Sequence, residues 1–295
     1  MQEENLNLGG RLERAAIQIG AFEVEKQQAQ EIEEENLKLR NQLKEYEQLL
    51  SRSKKLRKNL NFKDLEQISQ KKIISVERFA KYIIIGLEND NYVIIHLGMS
   101  GRLKFYLNEN YKKEKHDHVV LQFNEFKIIY NDPRRFGMFF RLKDSKEVKF
   151  FFNNYGTDLL TNKVNLNEVY NKFIKKKISL KQALLDQSLI VGIGNIYANE
   201  ALFHSKLNPQ RLTYTLKKAE LSQLLSSCKF VLKLSLKNGG SSINDYKSPD
   251  GTLGSFQSLF KVYQKKHVIY KKKTYEIKKI IQNGRSTFFS PALQK

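Results

Sequence analysis

A chain of 295 residues, 40% of them hydrophobic, is long enough to bury one large core or two ordinary ones. No apolar run approaches membrane-spanning length and no charged-then-apolar leader opens the chain, so it reads as a soluble cytoplasmic protein. The net charge of +21 points to a polyanionic partner, and the single cysteine, Cys228, excludes an internal disulfide and any cysteine-rich zinc site.

Residues 1–50 stand apart from the rest of the chain. Of the 52 basic and 31 acidic residues in the protein, this segment holds 6 and 11, which leaves 46 and 20 for the remainder. Lysines outnumber arginines, 40 to 12, so part of that charge is ordinary solvated surface, and charge alone speaks for DNA or RNA in general. Ile32, Leu39, Leu43, Tyr46 and Leu50 fall at alternating three- and four-residue steps, with Asn36 in the same seam and Glu and Lys on its flanks. The spacing suits helical pairing through residues 30–50, or an amphipathic helix packed on its own domain, and both readings stay open.

From about Lys71 the apolar period changes to two. IISVERFAKYIIIGL and YVIIHLGM flank the turn Glu88-Asn89-Asp90-Asn91, HVVLQF and FKIIY flank Asn124-Glu125, and GMFFRL with VKFFF continue the meander. Residues 51–155 therefore read as an antiparallel sandwich. The pattern turns helical between about 165 and 238, where Leu221, Leu224, Leu225, Cys228, Val231 and Leu232 share one face. That makes Cys228 a core residue rather than a nucleophile. Inside the helical region, LLDQSLIVGIGNIYANEALFHSKLNPQR sets Gly192 and Gly194 directly before Asn195. Successive free amides at such a helix start can cradle an anion, although many Gly-x-Gly turns only end a helix. After Gly239-Gly240 comes a loop with Pro249, Asp250 and Gly251, then a basic hairpin-like tail. A β-rich lobe joined to a helical lobe leaves a cleft for a large ligand.

Taken together, HLGMSGRL (96–103), KHDHV (115–119), NDPRRFG (131–137), the Gly192–Asn195 run, GGSSINDY (239–246) and NGRSTFF (283–289) resemble the formamidopyrimidine-DNA glycosylase / endonuclease VIII family of DNA repair enzymes. The resemblance runs from about Ser51 to the C-terminus. It implies an α+β fold with an N-terminal antiparallel β-sandwich lobe (51–155), a helix-two-turn-helix lobe (156–238), a lesion-capping loop (239–256) and a zincless β-hairpin finger (257–295). It also implies a monomeric, nucleoid-associated enzyme that excises oxidised purines (formamidopyrimidine, 8-oxoguanine) and cleaves abasic sites in double-stranded DNA. By the same resemblance, Met99, Arg134 and Phe136 fill the hole left by a flipped nucleotide, roles that suit wedge side chains and a base-pairing guanidinium. His116, Arg134, Lys176 and Asn195 contact phosphates, Lys81 donates a proton in the elimination, and Arg285 sits beside the sugar-phosphate. Each has a plainer reading: Met99 as core, Arg134 as a bridge to Asp132, His116 bonded to Asp117 or a carbonyl, and Lys81 or Lys176 as simple phosphate clamps.

The chain departs from the family in two places. Family members carry the finger on a zinc bound by four cysteines, whereas the matching positions here are Tyr270, Lys273, Ser290 and Leu293, so no zinc is expected. Val262, Val268, Ile269, Tyr275, Ile277, Phe288 and Phe289 are available to hold the hairpin by packing instead. The family also begins P-E-L-P-E-V-E, with the proline amine as nucleophile and a glutamate beside it. This chain begins MQEENLNLGG, its nearest echo is AFEVE (21–25), and its prolines are Pro133, Pro209, Pro249 and Pro291. Lys81 is then the one amine that the resemblance leaves at the reacting sugar, and desolvation among cations would make it nucleophilic. Three readings are open: a glycosylase/lyase with weakened or lost excision, a non-catalytic damaged-DNA binding protein, or a decayed or mis-started gene product in which the acidic segment replaced the native start.

Overall fold

The computed structural model describes residues 65–107, 110–161, 164–241 and 254–295, together with Gln30, Glu33, Glu34 and Leu37, four exposed helical positions. The seam residues Ile32, Asn36, Leu39, Leu43, Tyr46 and Leu50 lie outside the described residues, as do 242–253 of the capping loop. Met1–Lys54 and Lys55–Lys295 form separate compact units, and the sheets and helices of the fold belong to the second.

Two antiparallel sheets build the first lobe. One takes the order β1-β2-β3-β7 (Ile73–Phe79, Tyr82–Leu87, Asn91–His96, Met138–Leu142) and the other β4-β6-β5 (Arg102–Leu107, Phe126–Asn131, Asp117–Gln122). Ile85, Leu87, Val93, Ile95 and Phe139 from the first meet Val119 and Tyr130 from the second. The opposite face of the first sheet is covered too, with Phe140 against Phe151 of helix α1 (Ser145–Phe152) at 5.3 Å. Strands β2 and β3 are therefore near-continuous apolar runs, as a sheet buried on both faces requires.

The structure corrects two local expectations. VKFFF is not a strand: Val148–Phe152 lie in α1, because Asp144 accepts the Glu147 amide while Glu147 accepts the Lys143 amide, both near 2.8–2.9 Å. This reciprocal capping starts a helix that the β-rich composition alone does not foretell. The run IISVERFAKYIIIGL is likewise not one strand. It folds back at Ala80, where φ is +53° and Phe79 pairs with Tyr82 across a two-residue turn.

A short parallel ribbon, β8 (Thr157–Asp158) with β9 (Ile190–Val191), leads into the helical lobe. There α2 (Leu166–Ile174), α3 (Leu180–Leu185), α4 (Asn195–His204) and α5 (Lys218–Lys237) enclose a second core. All six face residues of α5 are buried, and the pKa of the Cys228 thiol, fully inaccessible, is pushed up to about 12 by that burial. The tail forms two hairpins, β10–β11 (His267–Tyr270, Lys273–Glu276) and β12–β13 (Lys278–Gln282, Arg285–Phe289). Val262, Val268, Ile277 and Phe288 pack with Phe203 of α4, joined by Tyr275, and Phe289 is also buried. Ile269 differs from the expectation, standing 77% exposed. Among the described residues no helix is long and apolar enough to cross a membrane.

Candidate active site and nucleic-acid interface

Strand register brings three turns to one end of the sandwich. Tyr82 pairs with His96, His96 with Met138, and Arg102 with Asn131, so Ala80-Lys81, Leu97–Gly101 and Asp132–Gly137 are neighbours. Gly98 has φ +65°, and a Cβ there would lie 2.7 Å from the Gly137 amide, so these two loops approach as closely as backbones allow. Met99 and Phe136, one from each loop, stand 68% and 51% exposed, which removes the reading of Met99 as core. Arg134 is exposed between them in sequence and Phe136 follows Arg135, whose φ is +55°. His116, also at positive φ, reaches the same loop through its carbonyl, which accepts the Asp132 amide at 3.1 Å. The Asp117 carboxylate is engaged elsewhere, by Lys104, Asn131 and Tyr111.

Lys81 faces the other lobe. Its Nζ donates to the Ile193 carbonyl at 3.3 Å, inside the Gly192–Asn195 turn. The side chain is solvent-accessible yet flanked by protein from both lobes, and the loss of surrounding water, followed by the Arg285 cation, lowers its pKa below the ordinary lysine value. Gly192 has φ +85°, and Gly194, the N-cap of α4, has no side chain to occupy the first-turn amides. Asn195 Nδ2 donates to the Ser286 carbonyl at 3.1 Å, while its Oδ1 is buried with no hydrogen-bond partner among the described residues. One of its amide hydrogens is thus spent on the finger. Lys176 sits apart, its Nζ 3.2 Å from Asp186, which lines a cavity of about 340 Å³ together with Lys181, Gln282 and Arg285.

Two participants escaped the sequence reading. Lys181 is buried and donates to the Ser286 carbonyl at 2.8 Å and to Thr287 Oγ1 at 2.6 Å, with its pKa lowered to about 8 by burial and then by Arg285. Its only signal was a lysine on the apolar face of LKQALL. Asp158 accepts Arg78 at 2.6 Å and the Ala80 amide at 3.0 Å, holding the Lys81 turn from the ribbon that feeds the glycine turn. Nothing local in the sequence marks that contact.

The four positions that carry zinc ligands in the family do not fit a metal. The Tyr270 ring lies 3.3 Å beneath Lys206 Nζ, Leu293 packs on the finger core, the buried Ser290 donates its amide to Gln294 at 3.0 Å, and Lys273 is exposed. None offers a thiolate or imidazole.

Sequence profiles of two domains match the chain, the formamidopyrimidine-DNA glycosylase N-terminal domain over residues 25–139 and the formamidopyrimidine-DNA glycosylase H2TH domain over residues 155–247. The first match begins inside the acidic segment, upstream of Ser51. The formamidopyrimidine-DNA glycosylase of Wolbachia sp. subsp. Brugia malayi is 41% identical over 77% of this chain and 83% of its own length. That of Rickettsia felis is 37% identical over the same shares. Among solved structures, Lactococcus lactis Fpg in complex with abasic-site DNA superposes with a TM-score of 0.72 at 31% identity, covering 79% of this chain and 86% of that one. A mutant of that protein bound to Fapy-dG DNA gives 0.72 at 30% identity, with the same coverage. A sandwich lobe and a helix-two-turn-helix lobe, together with these similarities, identify the chain as a member of the formamidopyrimidine-DNA glycosylase family of DNA-binding base-excision repair proteins.

Proposed function

We propose that this chain acts as a monomer on duplex DNA holding an oxidised purine or an abasic site, and that Lys81 is the amine that attacks the sugar. The observation that carries the reading is Lys81 Nζ at 3.3 Å from Ile193 O, with the loss of surrounding water and then the Arg285 cation lowering its pKa. A lysine in that setting holds more free amine near neutrality than an ordinary lysine does. Its lone pair adds to the C1′ aldehyde of the ring-opened abasic sugar, and loss of water leaves an iminium. That cation acidifies C2′; its proton passes to solvent water, the C3′–O bond breaks, and the 3′ phosphate leaves with the electron pair. Arg285 is suited to the charge on the departing phosphate. Met99, Arg134 and Phe136 fill the vacated stack, and His116, Lys176 and Asn195 hold the backbone.

Borohydride trapping on abasic-site DNA tests this. Lys81→Ala is expected to abolish both the trapped adduct and strand cleavage, while Lys81→Arg keeps DNA binding without trapping. Trapping that survives in Lys81→Ala and vanishes on deletion of residues 1–50 assigns the nucleophile to the acidic segment. A wild-type protein that binds abasic DNA tightly but never traps is a damage-binding protein only.

A further inference from the structure

The two loops that carry Met99 and Phe136 present exposed tips, so packing at the tips cannot set their spacing. What joins them lies beneath. Asp132 is fully buried at the end of β6, where its Oδ1 accepts the Ser100 hydroxyl at 2.6 Å and its Oδ2 accepts the Gly137 amide at 2.8 Å and the Tyr130 hydroxyl at 3.3 Å. Ser100, itself 2% exposed, accepts the Arg134 amide at 3.2 Å. Its hydroxyl is therefore oriented, with the proton toward Asp132 and a lone pair toward Arg134. The Asp132 backbone adds a third loop, donating to the His116 carbonyl at 3.1 Å and meeting His118 Nε2 through its own carbonyl at 2.9 Å. A buried carboxylate that loses one of its donors leaves unsatisfied charge, so this node tolerates little change in loop spacing.

We propose that Asp132 and Ser100 are a positioning pair that sets Met99 against Phe136, and that this spacing determines how strongly the protein prefers a duplex with a vacated base position. The proposal rests on the reading of Met99, Arg134 and Phe136 as void fillers. Two side chains entering one gap in a base stack must keep their separation, and a site held within about 0.5 Å needs rigid support from below. Asp132 and Ser100 supply it without touching DNA.

The test uses the full chain and two duplexes at matched salt, one intact and one with a tetrahydrofuran abasic analogue opposite 2-aminopurine. Affinity for each is measured along with the fluorescence change of the 2-aminopurine. Wild type is expected to prefer the abasic duplex and to change the fluorescence on binding. Ser100→Ala is expected to lower the ratio of affinities about tenfold and to lose the fluorescence change, with the loss falling on the abasic duplex. Ser100→Thr, which keeps the hydroxyl, is expected to restore both, and Asp132→Asn to behave like Ser100→Ala. A folded Ser100→Ala protein with the wild-type ratio and fluorescence overturns the positioning role, as does an equal loss on both duplexes. A wild type without any preference sinks the void-filling reading itself, and the positioning role with it.

Discussion

Lys81 and Lys181 share a neighbour, and this gives their titration a testable direction. Arg285 contributes to the lowered pKa of both, after burial. The rate of adduct trapping is expected to rise with pH through a midpoint below the ordinary lysine value of 10.5, since only free amine attacks. Removing the cation in Arg285→Ala should move that midpoint upward; an unchanged or lower midpoint contradicts the assignment. For Lys181 the consequence is stability. Its folded pKa of about 8 lies below the 10.5 of an ordinary lysine, so between these values the unfolded chain binds more protons. Stability therefore gains from rising pH across that window. The difference in unfolding free energy between wild type and Lys181→Met should grow from pH 8 toward 10.5, as thermal or urea titrations at several pH values will show.

Side chains of α4 hold much of the finger. Glu200 on α4 is buried and accepts the amides of Lys261, Val262 and Tyr263 at 2.8–3.0 Å, and Asn199 accepts the Phe288 amide at 2.6 Å. Together with the Phe203 cluster and Lys206 over Tyr270, these contacts tie the finger to the helical lobe. Glu200→Ala leaves three amide donors unmet, the Val262 amide in a buried position, and is expected to cost about 2 kcal/mol, concentrated in the finger. Hydrogen exchange at residues 261–263 should accelerate while the sandwich amides stay protected; a uniform change across both lobes argues against a local anchor. We also expect no stoichiometric zinc in the purified protein and no effect of a chelator on DNA affinity. One zinc per chain surviving dialysis would require ligands other than Tyr270, Lys273, Ser290 and Leu293.

For the whole molecule, the net charge of +21 makes DNA affinity steeply dependent on salt whatever the sequence or lesion. With Met99 and Phe136 as the proposed void fillers, selectivity is expected from the end of the sandwich where they protrude. The protein is therefore expected to bind an abasic duplex more tightly than an intact one at matched salt, with both affinities falling together as salt rises. Equal affinities measured by titration leave only generic basic binding. Size-exclusion chromatography with light scattering checks the monomer.

Much was legible in the sequence because it depends on neighbours in the chain. Period-two runs marked the sandwich strands, Glu88-Asn89-Asp90-Asn91 marked the β2–β3 hairpin, and the face through Leu221 and Cys228 marked α5 as core-facing. The ordered motifs also identified the family. Other features were decided only in three dimensions. Val148–Phe152 became helix because capping by Asp144 and Glu147 outweighed strand propensity. The Lys81 turn is held by Asp158, 78 residues from Ala80, and its amine faces Ile193, 112 residues away. The burial of Lys181 against Ser286 and of Asp132 against Ser100 likewise joins groups that no local pattern links. Periodicity records which face of an element is buried. It does not record which distant donor meets which acceptor, and for buried polar groups that pairing sets both the cost of burial and the chemistry.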